Sequence, residues 1–226
     1  MIDLKQFRAR FQSFRKTDYQ SYPFCFGEFW KWKLGTETKS EHILDAEHIE
    51  ETYHRLSETL KIWLWHRPFS FSELARRLMD ALEKIRDAYN QIRSYSLSEF
   101  SEIPNEPLEF IWHELGCVKK GEDKNPSGYY LVMATTKPLM FLWGQTLAFD
   151  SRVRKYMPRF GIPRLSGDYW SFRTWKKVMQ GFQESLKQQP KILNIFRWVS
   201  RKEYVTDSII PYGQFLDLYY WVEEKC

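Results

Sequence analysis

The chain lacks the features that mark a membrane span, a secretion signal or a disulfide framework. None of its apolar runs approaches the roughly 20 residues that cross a bilayer, and Met1–Arg8 carries charges where a signal peptide has its apolar stretch. The three cysteines, Cys25, Cys117 and Cys226, are an odd number without CxxC spacing, which argues against both a disulfide framework and a zinc site. We therefore expect a soluble, cytoplasmic protein with reduced thiols.

The signatures of several enzyme classes are also missing. The chain has no GxxxxGK[ST] or GxGxxG nucleotide-binding motif, no HExxH metalloprotease motif and no GxSxG hydrolase motif. His42, His48 and His54 lie six residues apart, a spacing that does not align them on one helix face. We expect no metal site and no cofactor. A nucleophilic pair of Cys117 with His113 stays open, although nothing in the sequence favours it.

Apolar and aromatic residues, by contrast, are plentiful. Hydrophobic residues make up 43% of the 226 positions and aromatic residues 18%, which suits a well-packed core and excludes a disordered chain. Apolar residues recur at spacings of three and four, and no strand pattern of convincing length interrupts them. The pattern predicts an all-α, multi-helix globular fold. The predicted helices cover 3–15, 45–63, 71–92, 107–117, 138–144, 150–158, 168–188 and 209–222, with turns and a short helix in 17–40.

Residues that favour helix starts set several of these boundaries. Asp45 is suited to the N-cap of one helix, and Asp150 or the following serine to the N-cap of another. Ser70 and Glu73 have the spacing of a capping box. Pro138 suits the first turn of a helix, where its missing N–H costs nothing, so we expect that helix to begin there.

The positive charge of the chain is concentrated in its second half. Residues 1–118 hold 16 basic and 19 acidic side chains, whereas 119–226 hold 18 basic and 10 acidic ones. The stretch from 137 to 202 carries 14 basic and only three acidic residues, a net charge of +11, and such a surface attracts polyanions. The polar segment 119–128 coincides with the change of sign. We predict a mildly acidic helical part (1–118), a linker or loop (119–128) and a basic helical part (129–226).

The helix predicted for 168–188 presents two different faces. Trp170, Arg173 and Lys177 lie on one face at helical spacing, opposite an apolar stripe. An exposed tryptophan between two cations could stack on a base and contact phosphates. The same face could instead contact a partner protein or be covered by another helix. The apolar stripe consists of Phe172, Trp175, Met179, Phe182 and Leu186.

The segment 134–154 has the most specific pattern in the chain. Lys137 stands at a predicted helix start, two apolar turns follow, and Asp150 begins the next helix, so the loop between them can bring the two side chains together. This segment resembles the lysine and aspartate elements of helix-hairpin-helix DNA glycosylases, and is most similar to the compact prokaryotic 8-oxoguanine DNA glycosylase-like proteins. The shared features are Thr-Lys, Leu-x-Phe-Leu and Asp-Ser-Arg-Val, with weaker similarity at 167–172 and 215–221.

The resemblance implies an all-helical protein that flips a damaged base out of DNA and cleaves its glycosidic bond. By this resemblance Lys137 is the amine nucleophile that attacks the sugar carbon, and Asp150 is the carboxylate that stabilises positive charge on the sugar. Residues 133–136 depart from the family because they lack its glycine-bearing hairpin. A simpler interpretation makes Lys137 a surface lysine and Asp150 only an N-cap.

These observations predict a DNA-binding protein that resembles a base-excision DNA glycosylase/lyase and has no membrane partner. The alternative is a non-catalytic helical module that binds nucleic acid or a partner protein. In addition to Lys137 and Asp150, the predicted nucleic-acid-binding residues are Arg152, Arg154, Lys155, Trp170, Arg173 and Lys177.

Overall fold

A computed structural model describes residues 9, 21–62, 70–120, 128–165 and 167–188, together with positions 213, 216, 217 and 219; for 21–26 and 120 it describes the backbone alone. Most of the described residues are helical, which confirms the all-α expectation. Two 3₁₀ segments, Leu97–Glu102 and Met157–Phe160, interrupt the helices. The α-helices are α1 (Ser21–Thr36), α2 (Ile49–Ile62), α3 (Phe71–Ile92), α4 (Asn105–Lys120), α5 (Val132–Trp143), α6 (Ser151–Tyr156) and α7 (Phe172–Lys187).

Some predictions concern residues outside these ranges. The basic helix predicted for 3–15, except Ala9, lies outside the described residues, as do the central part of the proposed linker (121–127) and most of the helix predicted for 209–222. The four described positions of that last segment are helical, and all four are buried. Within the part of the chain that the structure describes, no helix combines the length and apolar character needed to cross a membrane.

The capping box predicted at Ser70 opens α3. The Ser70 hydroxyl accepts a hydrogen bond from Glu73 N, and the Glu73 carboxylate accepts one from Ser70 N at 2.9 Å. These reciprocal bonds satisfy two of the donors that a helix start leaves without an intrahelical partner. The prediction is confirmed, and the predicted inner face of α3 is buried at Leu74, Leu78, Ala81, Ile85 and Ile92.

Two helix starts differ from the sequence predictions. Asp45 is not the N-cap of α2, which begins four residues later; its carboxylate accepts a hydrogen bond from His42 N at 2.7 Å and thereby closes the preceding turn. Pro138 does not open α5 but lies inside it. Every residue from Ala134 to Trp143 is buried, and the packing of these side chains offsets the helical hydrogen bond that the proline cannot make.

The structure also contains a short β-ribbon, which the sequence pattern did not predict and which is consistent with the all-α class. Strands β1 (Tyr129–Leu131) and β2 (Tyr169–Ser171) pair antiparallel, with Tyr130 directly opposite Trp170. Three residues are too few to produce a recognisable alternation in the sequence. The ribbon takes the place of the first turn predicted for α7, which begins at Phe172 with Ser171 as its N-cap.

The buried apolar side chains form one cluster that runs from Phe29 to Tyr219. Helix α4 packs against α3 and α5, and α7 contacts both α4 and the 3₁₀ segment Leu97–Glu102. Trp112 of α4 stacks on Trp175 of α7, with ring centroids 5.1 Å apart. The cluster includes residues that precede and residues that follow the segment 119–128. Helix α4 includes residues 119 and 120, which were expected in a loop.

The packing of the ribbon on α4 depends on Gly116. A Cβ atom at this position would lie 2.4 to 2.8 Å from ring atoms of Tyr130, closer than carbon atoms can approach. Glycine therefore allows the Tyr130 ring to rest directly on the helix backbone and to hold β1 against α4.

Gly116→Ala should destabilise the protein by about 1–3 kcal/mol, because overpacking outweighs the higher helix propensity of alanine. Denaturant unfolding measures the change. Gly35→Ala is the matched control, since a Cβ at Gly35 meets nothing within 4 Å, and it should be neutral or stabilising by up to about 1 kcal/mol. Equal stability of the two variants would contradict the tight contact with Tyr130.

Candidate functional site

Lys137 lies in the interior of the protein. It is only 6% exposed, in the middle of α5, so the interpretation as a surface lysine was wrong. Burial lowers the pKa of its amine, because removal from water disfavours the charged form, while the charges of Asp150 and Asp217 act in the opposite direction. The amine therefore lies within electrostatic range of two carboxylates.

Asp150 is the N-cap of α6, as predicted. Its Oδ1 accepts hydrogen bonds from Arg152 N at 2.9 Å and Val153 N at 3.0 Å. The loop between α5 and α6 spans 144–150 and is short, so it returns the chain close to Lys137. The sequence predicted that these two side chains would be brought together, and the effect of Asp150 on the Lys137 amine agrees with that prediction.

Asp217 is a second carboxylate at this site, which sequence reasoning did not single out. It is fully buried, and its Oδ1 accepts a hydrogen bond from Ala148 N at 3.0 Å. Gly213 lies one helical turn earlier, and a Cβ there would meet the backbone of Gln145 and Thr146 at 2.4 to 2.5 Å. Gly213 and Asp217 thus both lie directly against the α5–α6 loop. The signal available in the sequence was their i,i+4 spacing, which puts both residues on one face of a helix. Only the tertiary structure shows that the α5–α6 loop lies against that face.

Lys119 is the fourth member of the site and was also missed. It is 4% exposed at the end of α4. Burial lowers the pKa of its amine, the positive charge of Lys137 acts in the same direction, and together they bring it to about 8. We call Lys119, Lys137, Asp150 and Asp217 the lysine–aspartate cluster.

The cluster combines what an amine nucleophile needs. A lysine attacks carbon only in its neutral form, and burial beside another cation favours loss of the proton. Carboxylates at the same place can stabilise positive charge that develops on a substrate. Shifted pKa values are typical of functional sites, although a buried ion network that only stabilises the fold would shift them too.

The predicted cations of α6 have different environments. Arg154 is bound to the chain ahead of β2, because its guanidinium donates to Gly167 O at 2.6 Å and forms an ion pair with Asp168. Arg152 is half-buried, whereas Lys155 is exposed. A groove of about 380 Å³, which we call the α6 groove, opens beside Arg154. It is lined by Ser151, Arg154, Arg164, Leu165 and Gly167.

The face predicted for α7 is only partly correct. Arg173 and Lys177 are exposed as expected, but Trp170 is 2% exposed and packs on Phe149 with ring centroids 5.1 Å apart, so its expected role as an exposed stacking residue was wrong. The reason is that residue 170 belongs to β2, where side chains alternate with a period of two rather than continuing the helical pattern. The aromatic side chain that faces solvent is its neighbour, Tyr169.

Arg173 and Lys177 line a second groove, of about 600 Å³, which we call the α7 groove. Lys176 adds a third cation and donates a hydrogen bond to the Asn105 side chain across the groove. Glu109 is the one acidic residue among its lining. The groove therefore has a net positive lining, completed by Asn105, Phe172 and Gln180.

His113 and Cys117 meet at the hydroxyl group of Tyr130. His113 Nδ1 is 2.9 Å from this oxygen, and the Cys117 thiol donates to it at 3.6 Å. The hydroxyl thus lies between the two side chains that the sequence left open as a catalytic pair. Among the described residues, no group of three or more histidine, cysteine or acidic side chains could hold a metal ion.

No protein-family model, curated protein or solved structure gives a significant match to this chain. The similarity to DNA glycosylases therefore depends on the residues quoted above and stays a prediction.

The cluster should make stability depend on pH. The unfolded chain keeps the Lys119 proton up to the ordinary pKa of 10.5, whereas the native protein releases it near 8. The native state binds fewer protons between these values, so the contribution of this group to the free energy of unfolding rises with pH across that window. Lys119→Met removes the buried charge and should be more stable than the natural protein at neutral pH, with a difference that shrinks as the pH approaches 10.

Urea unfolding at a series of pH values measures this difference. Lys187→Met, which removes an exposed lysine at the end of α7, is the control and should show the pH profile of the natural protein. Parallel profiles for Lys119→Met and the natural protein would rule out a lowered pKa at Lys119.

Proposed function

We propose that the protein binds DNA and acts as a base-excision glycosylase/lyase that removes a damaged base with Lys137 as the nucleophile. The observation that carries the proposal is the buried amine of Lys137 within electrostatic range of Asp150 and Asp217. The resemblance of the segment 134–154 to DNA glycosylases supports the same assignment.

In the proposed reaction the neutral amine attacks the sugar carbon that bears the base. A bond forms between Nζ and this carbon, the glycosidic bond breaks, and the base leaves with the electron pair of that bond and takes up the proton that Nζ loses. The Asp150 carboxylate stabilises the positive charge that develops on the sugar. The nitrogen lone pair then forms the C=N bond, and the ring oxygen leaves with the C–O electron pair and takes a proton from water. The resulting protonated Schiff base is the species that a hydride reagent can trap.

The burial of Lys137 sets a condition on this reaction. Neither the α6 groove nor the α7 groove is lined by Lys137 or Asp150. A flipped nucleotide can reach the amine only if the segments over the cluster move when DNA binds, a change that regulated and induced-fit binding commonly involves.

Borohydride trapping tests the catalytic role of Lys137. The protein is incubated with oligonucleotides that carry 8-oxoguanine, other damaged bases or an abasic site, and covalent adducts are separated by size. The natural protein should form an adduct, and Lys137→Gln should form none. Asp150→Asn, which retains a capping side chain, should slow adduct formation by roughly 100-fold.

Lys84→Gln is the control for loss of a lysine, because Lys84 is an exposed residue of α3 paired with Glu114. It should trap as efficiently as the natural protein. Free-base release is measured in parallel to include a glycosylase that lacks lyase activity. No Lys137-dependent adduct and no base release across the whole set of lesions would refute the catalytic proposal.

A second candidate function is non-catalytic binding of nucleic acid through the two grooves. It is favoured by the fact that both grooves have cationic linings and neither includes the lysine–aspartate cluster. Under this candidate the buried lysines and aspartates are part of the folded core, and the exposed cations neutralise phosphates.

The salt dependence of binding tests the role of the α7 groove. If Arg173 and Lys177 each contact a phosphate, then Arg173→Gln and Lys177→Gln should each reduce the slope of log K against log salt by about 0.9. Lys187→Gln, on the same helix but outside the groove, should leave the slope unchanged. If all three variants kept the slope of the natural protein, the α7 groove would be excluded as a phosphate-binding surface.

A further inference from the structure

The β-ribbon presents two aromatic side chains to solvent. Tyr129 is 46% exposed and Tyr169 is 63% exposed, whereas Tyr130 and Trp170 on the opposite face are buried. Tyr129 is paired with Ser171, and Tyr169 with Leu131. In this register the two exposed rings are diagonal neighbours on one face, at a separation of roughly 7 Å between Cβ atoms.

Residues that line both cationic grooves flank β2 in the sequence. Gly167 lines the α6 groove and lies two residues before Tyr169, while Phe172 and Arg173 line the α7 groove and follow Ser171 directly. The strand β2 therefore connects, along the chain, residues that line the two grooves.

The inner face of the ribbon anchors it to the protein. The buried residues Tyr130 and Trp170 hold the ribbon on the core through Gly116 and Phe149, and the outer face carries the partly exposed rings of Tyr129 and Tyr169. The negative charge next to the ribbon, on Asp168, forms an ion pair with Arg154, so these two charges offset each other and Arg164 supplies the remaining positive charge of the α6 groove. The surroundings of the two tyrosines are therefore compatible with a polyanion.

We propose that Tyr129 and Tyr169 form a stacking platform for unpaired bases of single-stranded nucleic acid, with phosphates on either side held by the two grooves. Tyrosine offers a flat ring on which any base can stack, so the platform binds without regard to sequence. The inference deepens the proposed function, since it depends on nucleic-acid binding, but it does not depend on catalysis by Lys137. In a repair reaction, the platform would hold bases exposed where the duplex is opened.

Binding of fluorescently labelled oligonucleotides tests the platform. A single-stranded 12-mer and the matching duplex are titrated with the full chain at low salt, and anisotropy is measured. Tyr169→Ala and Tyr129→Ala should each weaken single-strand binding by about 5-fold to 100-fold, the range for loss of one stacked base, with a smaller effect on the duplex. Tyr→Phe variants at both positions should bind within about twofold of the natural protein, because the ring is retained.

Two further measurements separate stacking from other effects. The salt slope should stay unchanged in the tyrosine variants, since no phosphate contact is lost. Phe110→Ala removes an aromatic side chain of α4 that is 43% exposed and lines neither groove, and it should bind normally. If thermal melting shows that Tyr169→Ala is unfolded, Tyr169→Thr, which suits a strand, replaces it.

Each outcome bears on the proposal. Unchanged binding by folded Tyr169 and Tyr129 variants would overturn the platform, while a Lys137-dependent adduct would still support the glycosylase function. Loss of binding in the Tyr→Phe variants equal to that in the Ala variants would overturn stacking in favour of a hydroxyl contact. No binding of any oligonucleotide at low salt would overturn both proposals and point to a protein partner.

Discussion

The structure around Lys137 depends on one constraint, which is the burial of its amine. A charged amine removed from water is costly unless opposite charges lie near it, and here the two carboxylates come from distant parts of the sequence, Asp150 and Asp217. Asp217 also accepts the Ala148 N–H. The same electrostatic requirement thus links α5, the loop that follows it and the helical residue Asp217.

A second constraint is the close approach of the α4 backbone at Gly116 to the aromatic ring of Tyr130. Gly116 allows the Tyr130 ring to lie on α4, and Tyr130 pairs across the ribbon with Trp170, just ahead of α7. The ribbon has only three residues in each strand, yet it contacts α4 through Tyr130 and leads directly into α5 and α7. Its inner face is used for packing, its outer face carries the exposed rings of Tyr129 and Tyr169, and residues that line the two cationic grooves flank β2 in the sequence.

Local signals in the sequence predicted much of the architecture correctly. The capping box at Ser70, the N-cap at Asp150 and the buried stripe of α7 depend on residues within one or two turns, so they can be identified without knowledge of the fold. Prediction failed where packing overrode a local rule. Pro138 lies inside a helix because that helix is buried, and Trp170 points inward because two short strands pair across about 40 residues of sequence.

In the candidate site, too, some features follow from the local sequence and others from packing between elements. The sequence by itself determined the helical class and the concentration of positive charge after residue 118, and it predicted the N-cap at Asp150 and a short loop that brings this residue near Lys137, since all of these follow from composition and local spacing. Only the tertiary structure decided that Lys137 is buried, that Lys119 and Asp217 join it, and that Tyr169 rather than Trp170 faces solvent. Burial and the electrostatic coupling of distant residues arise from contacts between elements, and no local pattern specifies which elements will meet.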